Sequence, residues 1–432
     1  MTGYGLGIDF GTSGVRAIVV DQAGQVQHNS ACPSTTVSAD VWRTILFELI
    51  AEIPESLRSR LHRIAIDGTS ATVLGCNSAG KPLLPALLYN DGRATAELGK
   101  LQAIVPANHV VLSPSSSLAK LLWLNREFAA VNSHQGRRKA IAYLMHQADW
   151  LAFLLHGQPG ISDYHNSLKL GYDPVALAYP DWFRHPDLAA IQPLLPKVTT
   201  PGAVIGPVQP GLAEQLGLPI ACQVCAGTTD SIAAFLASRA MNPGQGVTSL
   251  GSTLVLKLLS RRRVENAQCG IYSHRLGNLW LVGGASNTGG AILRHYFSDR
   301  DLVNLSQQID RNQASSLDYY PLLQPGERFP INDPNLPPRL DPRPSRPVDF
   351  LHGLLESLAK IEAQGYRLLQ EQGASPLTQV LTAGGGAKNQ TWQAIRQRYL
   401  QIPVMAAAQT EAAYGTALLA LRGLEEGRRN GL

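Results

Sequence analysis

Residues 6–21 read LGIDFGTSGVRAIVVD. Leu6 and Ile8 belong to an apolar strand that ends at Asp9. Gly11-Thr12-Ser13-Gly14 make a tight turn, and Ala17-Ile18-Val19-Val20 return as a second strand. Such a turn gathers backbone N–H groups and two hydroxyls into one small space. Consecutive N–H groups in a glycine-rich turn form a nest for anions, so the stretch suits a polyphosphate. Asp9 at the mouth would repel phosphate unless a divalent cation lies between them. Mg²⁺ fits that place, because it takes one or two carboxylates and fills its other positions with water and phosphate oxygens. On these residues alone, an ordinary hairpin with a glycine turn is the alternative.

The chain has 432 residues, enough for two domains with a cleft between them. Hydrophobic residues at 44% against 16% charged exclude a disordered chain. The net charge of +5 is spread out. Its densest clusters, Arg137-Arg138-Lys139 and Arg261-Arg262-Arg263, lack interleaved aromatics and read as solvated surface, not as a nucleic-acid interface. No apolar run approaches the ~20 residues that span a bilayer, and the first strand begins too early for a signal peptide. Five scattered cysteines fit a reducing cytosol. Cys222 and Cys225 are expected on opposite faces of a strand, which argues against a zinc or redox role.

Strands alternate with helices along the chain, which predicts an α/β fold. Trp42, Ile45, Leu46, Leu49 and Ile50 recur at helical spacing up to Pro54. Arg63 to Ile66 is a short strand running into the polar loop Asp67-Gly68-Thr69-Ser70-Ala71-Thr72, at a strand end where α/β ligands bind. A second polar cluster, Tyr89 to Arg93, opens a helix. Residues 115–127 and 140–156 read as helices, and residues 201–219 as a connector rich in Pro and Gly. Ile220 to Ser231 repeats the opening element in outline, which places the start of a second, related domain there. Val247 to Leu256 is a strand-turn-strand hairpin about Gly251-Ser252. Leu279 to Val282 runs into a glycine-rich turn ending at Gly290, and residues 325–347, with eight prolines, read as an extended surface loop. A long helix near 349–371, a strand at 378–382 entering Gly384-Gly385-Gly386-Ala387, and a last strand-helix pair complete the chain.

Turns rich in Gly, Ser and Thr thus sit at strand ends in both halves, a design for gripping a nucleotide. No G-x-x-x-x-G-K-[ST] occurs, which excludes a Walker-type loop. The set resembles the FGGY carbohydrate kinases, which have the two-domain actin-like ATPase (ribonuclease H-like) fold. The resemblance is carried by Asp9-Phe10-Gly11-Thr12-Ser13 with Arg16, Asn90-Asp91-Gly92-Arg93, and the stretch Ser115 to Glu127 that fits the family's first signature. Gly227-Thr228-Thr229-Asp230, Gly251-Ser252-Thr253, Pro325-Gly326-Glu327-Arg328 and Gly384-Gly385-Gly386-Ala387 with Asn389 complete it. The second signature is imperfect, with Gly353 where Ala or Ser is expected, and the chain is shorter than most members.

The resemblance implies an N-terminal domain over residues 1–225 with the sugar site and first phosphate turn, and a C-terminal domain over 226–432 with the nucleotide site. It implies ATP and Mg²⁺ as cofactors, and Asp230 as the base for the attacking hydroxyl, an N-cap role being the alternative. Asp9 and Asp230 are the expected metal residues. Gly11, Thr12, Ser13, Arg16, Gly251, Ser252, Thr253 and Gly290 are the expected nucleotide contacts at the phosphate end, with a cap on the strand as the alternative role of Arg16. Gly384, Gly385, Gly386, Ala387, Asn389 and Trp392 are assigned to the nucleoside, with Trp392 stacked on adenine or, alternatively, in the core. Asp9, Thr69, Ser70, Asn90, Asp91 and Asp230 are expected around the sugar, and His165 is expected to be structural or exposed. The Asp-x-Thr-Ser-x-Thr loop is closer to ribulose- or ribitol-type members, so D-ribulose is the expected substrate, converted to D-ribulose 5-phosphate. Xylulose, ribitol and glycerol kinases, and a non-catalytic nucleotide-binding module, are the alternatives. The expected partners are small molecules, with no nucleic acid and no membrane, and the expected state is a cytoplasmic monomer or homodimer.

Overall fold

The computed structural model describes residues 3–33, 38–135 and 141–426, and the side chains of all of these but 129–135 and 425–426. Arg137-Arg138-Lys139 lies outside the described residues. Arg261-Arg262-Arg263 is exposed, as expected of solvated surface. The chain forms two compact units, one of Met1–Ala237 with Glu411–Leu432, the other of Ser238–Thr410.

The first unit contains β1 (Tyr4–Phe10), β2 (Gly14–Val20), β3 (Val26–Pro33), β4 (Leu61–Gly68), β5 (Val73–Cys76), β6 (Tyr143–His146), β7 (Ile161–Asp163), β8 (Lys197–Thr199), β9 (Val204–Pro207), β10 (Gln223–Cys225) and β11 (Thr228–Thr229). Seven of them form one sheet in the order β3-β2-β1-β4-β10-β9, with β11 also paired to β4. β1, β4, β10 and β11 run parallel, and β2 and β3 complete an antiparallel meander. Alternation puts Leu6, Ile8 and Phe10 into a core with Leu46, Leu49 and Ile50 of the helix Ala39–Glu52. The helix Ala412–Glu426 lies against β1. A Cβ on Gly7 would come within 2.2 Å of Ala413 O and Ala417 N, so this approach requires glycine.

The second unit contains β12 (Gln245–Leu250), β13 (Leu254–Ser260), β14 (Tyr272–Leu276), β15 (Leu279–Ser286), β16 (Gln379–Ala383) and β17 (Val404–Ala406), in the order β14-β15-β13-β12-β16-β17. Here β15-β13-β12-β16-β17 repeats the pattern of β3-β2-β1-β4-β10: three antiparallel strands, then two parallel ones. The hairpin β12–β13 is therefore the counterpart of β1–β2.

That symmetry corrects the expected division at residue 225. Thr228 and Thr229 pair with Asp67 and Gly68 of β4, so the Gly-Thr-Thr-Asp stretch closes the first sheet instead of opening the second. The carboxyl-terminal helix likewise returns to the first unit. Three further expectations are corrected. Residues 140–156 divide into β6, paired to β5, and a helix over Gln147–His156. The supposed connector 201–219 contains β9 and the helix Pro210–Leu216. The proline-rich stretch is irregular but partly core, since Phe329 is fully buried in the second unit. No helix of the described residues is long and apolar enough to cross a membrane.

Candidate active site

Three acidic residues meet at the carboxyl ends of adjacent parallel strands. Asp9 near the end of β1 is in register with Asp67 of β4, and Asp67 is in register with Thr228 of β11. Asp230 follows β11 as the first residue of the helix Asp230–Ala237, its Oδ1 accepting from the Ser231 N–H at 2.6 Å. Asp67 is fully buried. Burial first, then the charge of Asp9, pushes its carboxyl well above the usual carboxylate range, and a hydrogen bond from Thr416 opposes this. Burial also raises Asp9, to about 6, against its bond with Asp67; the negative charge of Asp230 raises it further and Arg16 lowers it. Asp67 is the more deeply buried of the two, so burial disfavours its charged form more strongly.

The Asp9 carboxylate faces the turn above it. Both its oxygens would lie 3.5 Å from a Cβ on Gly11, whose N–H bonds Gly14 O at 3.1 Å. Thr12 and Ser13 are exposed on that turn. A hard carboxylate beneath an anion nest fits a hydrated divalent cation bound between Asp9 and phosphate oxygens. Among the described residues no set of three His, Cys, Asp or Glu side chains forms a ligand cluster, so protein ligands alone do not complete such a site. Arg16 is ion-paired with Glu411, and both are exposed by about two fifths.

The Asp67–Thr72 loop is more structural than its composition suggests. Thr69 is buried, its hydroxyl 2.6 Å from that of Thr72 and 3.1 Å from Gln147 Oε1. Ala71 is buried with φ of 63°, in the left-handed region. Of the loop's side chains only Ser70 reaches solvent. Thr69 is thereby corrected from sugar contact to loop brace. Asp91 accepts from the N–H and Nε of Arg93, which hold its carboxyl below the usual range, and Asn90 is exposed.

The segment after β7 adds two groups beside Thr228 and Asp230, one buried and one partly so. His165 is buried, its Nδ1 2.8 Å from Thr228 Oγ1. Lys169 carries a cation whose pKa burial lowers and Asp230 supports. No local signal marks Lys169, because its partner is 61 residues on (230 − 169). Nearby, Ser117 Oγ lies 3.0 Å from His146 Nε2, and His146 Nδ1 lies 2.9 Å from Asp149 Oδ2. This is the order of a nucleophilic triad, but all three residues are buried. It ties the start of the helix Ser117–Gln135 to the start of Gln147–His156.

In the second unit the predicted turns converge on the end of β12. Gly290 N and Ala291 N donate to Gly251 O and Ser252 O, and Leu254 N donates to Thr288 O. Ser252 also accepts from Arg294 at 3.0 Å, and Thr253 is partly exposed. Glu327 is buried and accepts from Ser286 Oγ, Asn287 N, Arg328 N and Tyr320 Oη, which fixes the approach to Gly289–Gly290. Gly384 has φ of 84°, and its Cβ would meet Leu250 O at 2.7 Å. A Cβ on Gly386 would meet Leu250 and Trp392. Only Gly385 opens to free space, so the expectation that all three glycines make room for a nucleotide narrows to Gly385. Ala387 sits beside it in the short turn Gly385–Lys388.

Two expected nucleoside contacts are core and cap instead. Trp392 is only 2% exposed, packed in the core of the second unit, so no ring face is open for stacking. Asn389 caps the helix Gln390–Leu400, accepting from Trp392 N at 3.0 Å and donating to Ser306 Oγ at 2.8 Å.

Residues 4–237 match the N-terminal domain of the FGGY family of carbohydrate kinases, and residues 246–424 match its C-terminal domain. The xylulose kinase of Streptomyces coelicolor is 27% identical, over 92% of this chain and 83% of its own length. The gluconokinase of Bacillus subtilis is 20% identical, over 91% and 82%. The structure of a xylulose kinase from Rhodospirillum rubrum superposes with a TM-score of 0.80 at 24% identity, covering 97% of this chain and 90% of that one. The fold is thus the two-domain actin-like ATPase fold, and the chain belongs to the FGGY family of carbohydrate kinases, an enzyme that phosphorylates a sugar.

Proposed function

We propose that this kinase transfers the γ-phosphoryl group of ATP to the terminal hydroxyl of a pentulose, D-ribulose first. The observation that carries the reading is the meeting of Asp9, Asp67 and Asp230 at three adjacent strand ends, with Ser70 presented on the loop that follows β4. Phosphoryl transfer asks chiefly for positioning and charge neutralisation. Asp230 takes the proton of the attacking hydroxyl, and its charge supports the Lys169 ammonium. Asp9 is the residue that would hold Mg²⁺, and that ion would supply charge neutralisation at the phosphates. Thr12 and Ser13 hold the phosphates in the first unit, and Gly251, Ser252 and Thr253 do so in the second, since the Gly11 and Gly290 N–H groups are already given to Gly14 O and Gly251 O. Gly385 and Ala387 border the nucleoside. Ser70, Asn90 and Asp91 contact the sugar. A reducing cytosol belongs to the same reading, supported by five free cysteines.

D-Xylulose is the second reading, favoured by the names of the relatives. The two sugars are epimers at one carbon, so the hydroxyl that meets Ser70 decides between them. ADP release should be measured with ATP·Mg²⁺ and a panel of D-ribulose, D-xylulose, ribitol, glycerol and gluconate. The highest kcat/KM is expected with D-ribulose, and a tenfold preference for D-xylulose would overturn the substrate assignment.

The burial of Trp392 makes a separate forecast. Trp392→Phe should leave KM for ATP within about twofold of the parent while lowering the melting temperature, as a large-to-small core change does. A tenfold rise in KM for ATP at unchanged stability would restore the stacking role.

A further inference from the structure

The signature stretch Ser115 to Glu127 is left without a role by the chemistry above, yet it carries a fully buried lysine. Lys120 stands in the first turn of the helix Ser117–Gln135 and has no exposed surface. Its Nζ donates to Ala71 O at 2.8 Å and to Leu88 O at 2.5 Å. Among the described residues no carboxylate forms an ion pair with it. An apolar side chain of that length is far easier to bury than an ammonium, so two carbonyls are an unusual set of partners.

These carbonyls belong to the two loops around the sugar. Ala71 follows Ser70, in the strained left-handed conformation. Leu88 O also accepts from Asp91 N, which sets the turn carrying Asn90 and Asp91. Both loops leave from one point, since Val73 and Leu87 exchange backbone hydrogen bonds at 3.0 and 2.9 Å. The helix that bears Lys120 is itself tethered, through Ser117 to His146 and Asp149. One ammonium on a fixed stem therefore holds two loops at a set separation. We propose that Lys120 is a positioning residue for the sugar, pinning Ser70 against Asn90 and Asp91 so that their spacing selects the substrate.

The inference rests on the reading of these loops as sugar contacts. Burial pushes the Lys120 ammonium down to about 8; Asp91 opposes that shift, and Lys169 and Arg93 add to it. The charge is thus present below pH ~8 and lost above it, which weakens the pin on the alkaline side.

The test compares Lys120→Met, Lys120→Arg and Ser70→Ala on the best sugar of the panel, with amide hydrogen exchange of residues 69–72 and 88–92 in the absence of ligand. Lys120→Met should raise KM for the sugar about tenfold, the scale of one hydrogen bond to a charged group. Its KM for ATP should stay unchanged, its kcat should stay within about threefold, and exchange in both loops should quicken. The parent's KM for sugar should rise between pH 8 and 9.5, and Lys120→Arg, charged throughout, should lose that rise. A rise kept in Lys120→Arg would assign it to Lys169 and overturn the proposal, even if Lys120→Met fails to fold. A lower melting temperature without a change in sugar KM or exchange would mean a purely structural lysine and overturn the proposal. If Ser70→Ala also leaves sugar KM unchanged, the loop reading fails; if Ser70→Ala raises it and Lys120→Met does not, only the pin fails.

Discussion

Asp230→Asn is expected to lower kcat by about 10²–10⁴-fold, the range typical of a lost general base. The asparagine is the sharper variant, because Asp230 has two separable roles. Its position at the start of the helix Asp230–Ala237 gives it a structural part, with Oδ1 accepting from Ser231 N at 2.6 Å. Alanine removes both that bond and the base. Helix-terminal bonds of this kind are worth ~1 kcal/mol, so an alanine variant mixes lost stability with lost chemistry. Asparagine keeps an oxygen for Ser231 and loses only the proton acceptor. A structural Asp230 predicts near-parental turnover in Asp230→Asn; a catalytic one predicts the full loss, with the melting temperature and KM for ATP unchanged. Turnover above a tenth of the parent would remove Asp230 from the chemistry. The cation beside it sharpens the case. With Asp230 neutral, the Lys169 ammonium loses the charge that supports it in a partly buried place, so the Asn variant should also show a lower apparent pKa for any alkaline limb that Lys169 governs.

The strands that carry the site were legible because each is a short apolar run ending in a polar turn. Leu6 to Asp9, Ile64 to Asp67, Val247 to Leu250 and Val380 to Ala383 all announce themselves in this way. What the runs do not encode is who pairs with whom. Gly227-Thr228-Thr229-Asp230 looks like the opening element, and only its register with Asp67 shows that it finishes the first sheet. Asp67 read as loop because its partners are Asp9, 58 residues back (67 − 9), and Thr416 on the last helix. Lys120, Lys169 and Glu411 were missed as partners for the same reason. Trp392 failed differently. A tryptophan just after a glycine-rich turn suggests a stacking platform, but the missing side chain of Gly386 makes room for that ring, and the two form one packing unit. Asn389 shows the same ambiguity, since a residue that can recognise a base is also a good helix cap.

The largest stability effect is expected from a group with no part in the chemistry. Arg396→Leu should destabilise the second unit by about 3–5 kcal/mol, because it leaves a buried carboxylate without its counter-ion. Arg396 and Glu362 are each 1% exposed at the side chain and are joined by two hydrogen bonds, of 2.6 and 2.7 Å. Arg396 also donates to Thr382 Oγ1 at 2.8 Å. Glu362 accepts from Thr248 Oγ1 at 2.5 Å, and the Tyr366 hydroxyl lies 2.9 Å from Thr248. The network thus bolts the helices Pro347–Glu371 and Gln390–Leu400 to neighbouring strands β12 and β16, two residues before the Leu250–Gly251 and Gly384 turns. A buried ion pair is a poor stabiliser against an apolar pair of the same volume, whereas half of one is worse than either. The double variant Arg396→Leu/Glu362→Leu should therefore recover part of the loss, since it buries no charge. Denaturant unfolding of the parent, both single variants and the double gives the coupling directly. The two turns should loosen with the network, so KM for ATP is expected to rise in Arg396→Leu at temperatures where the variant is still folded, while KM for sugar, set in the first unit, stays put. A single variant within 1 kcal/mol of the parent, or a sugar KM that moves with the ATP KM, would show that the network does not act as this local brace.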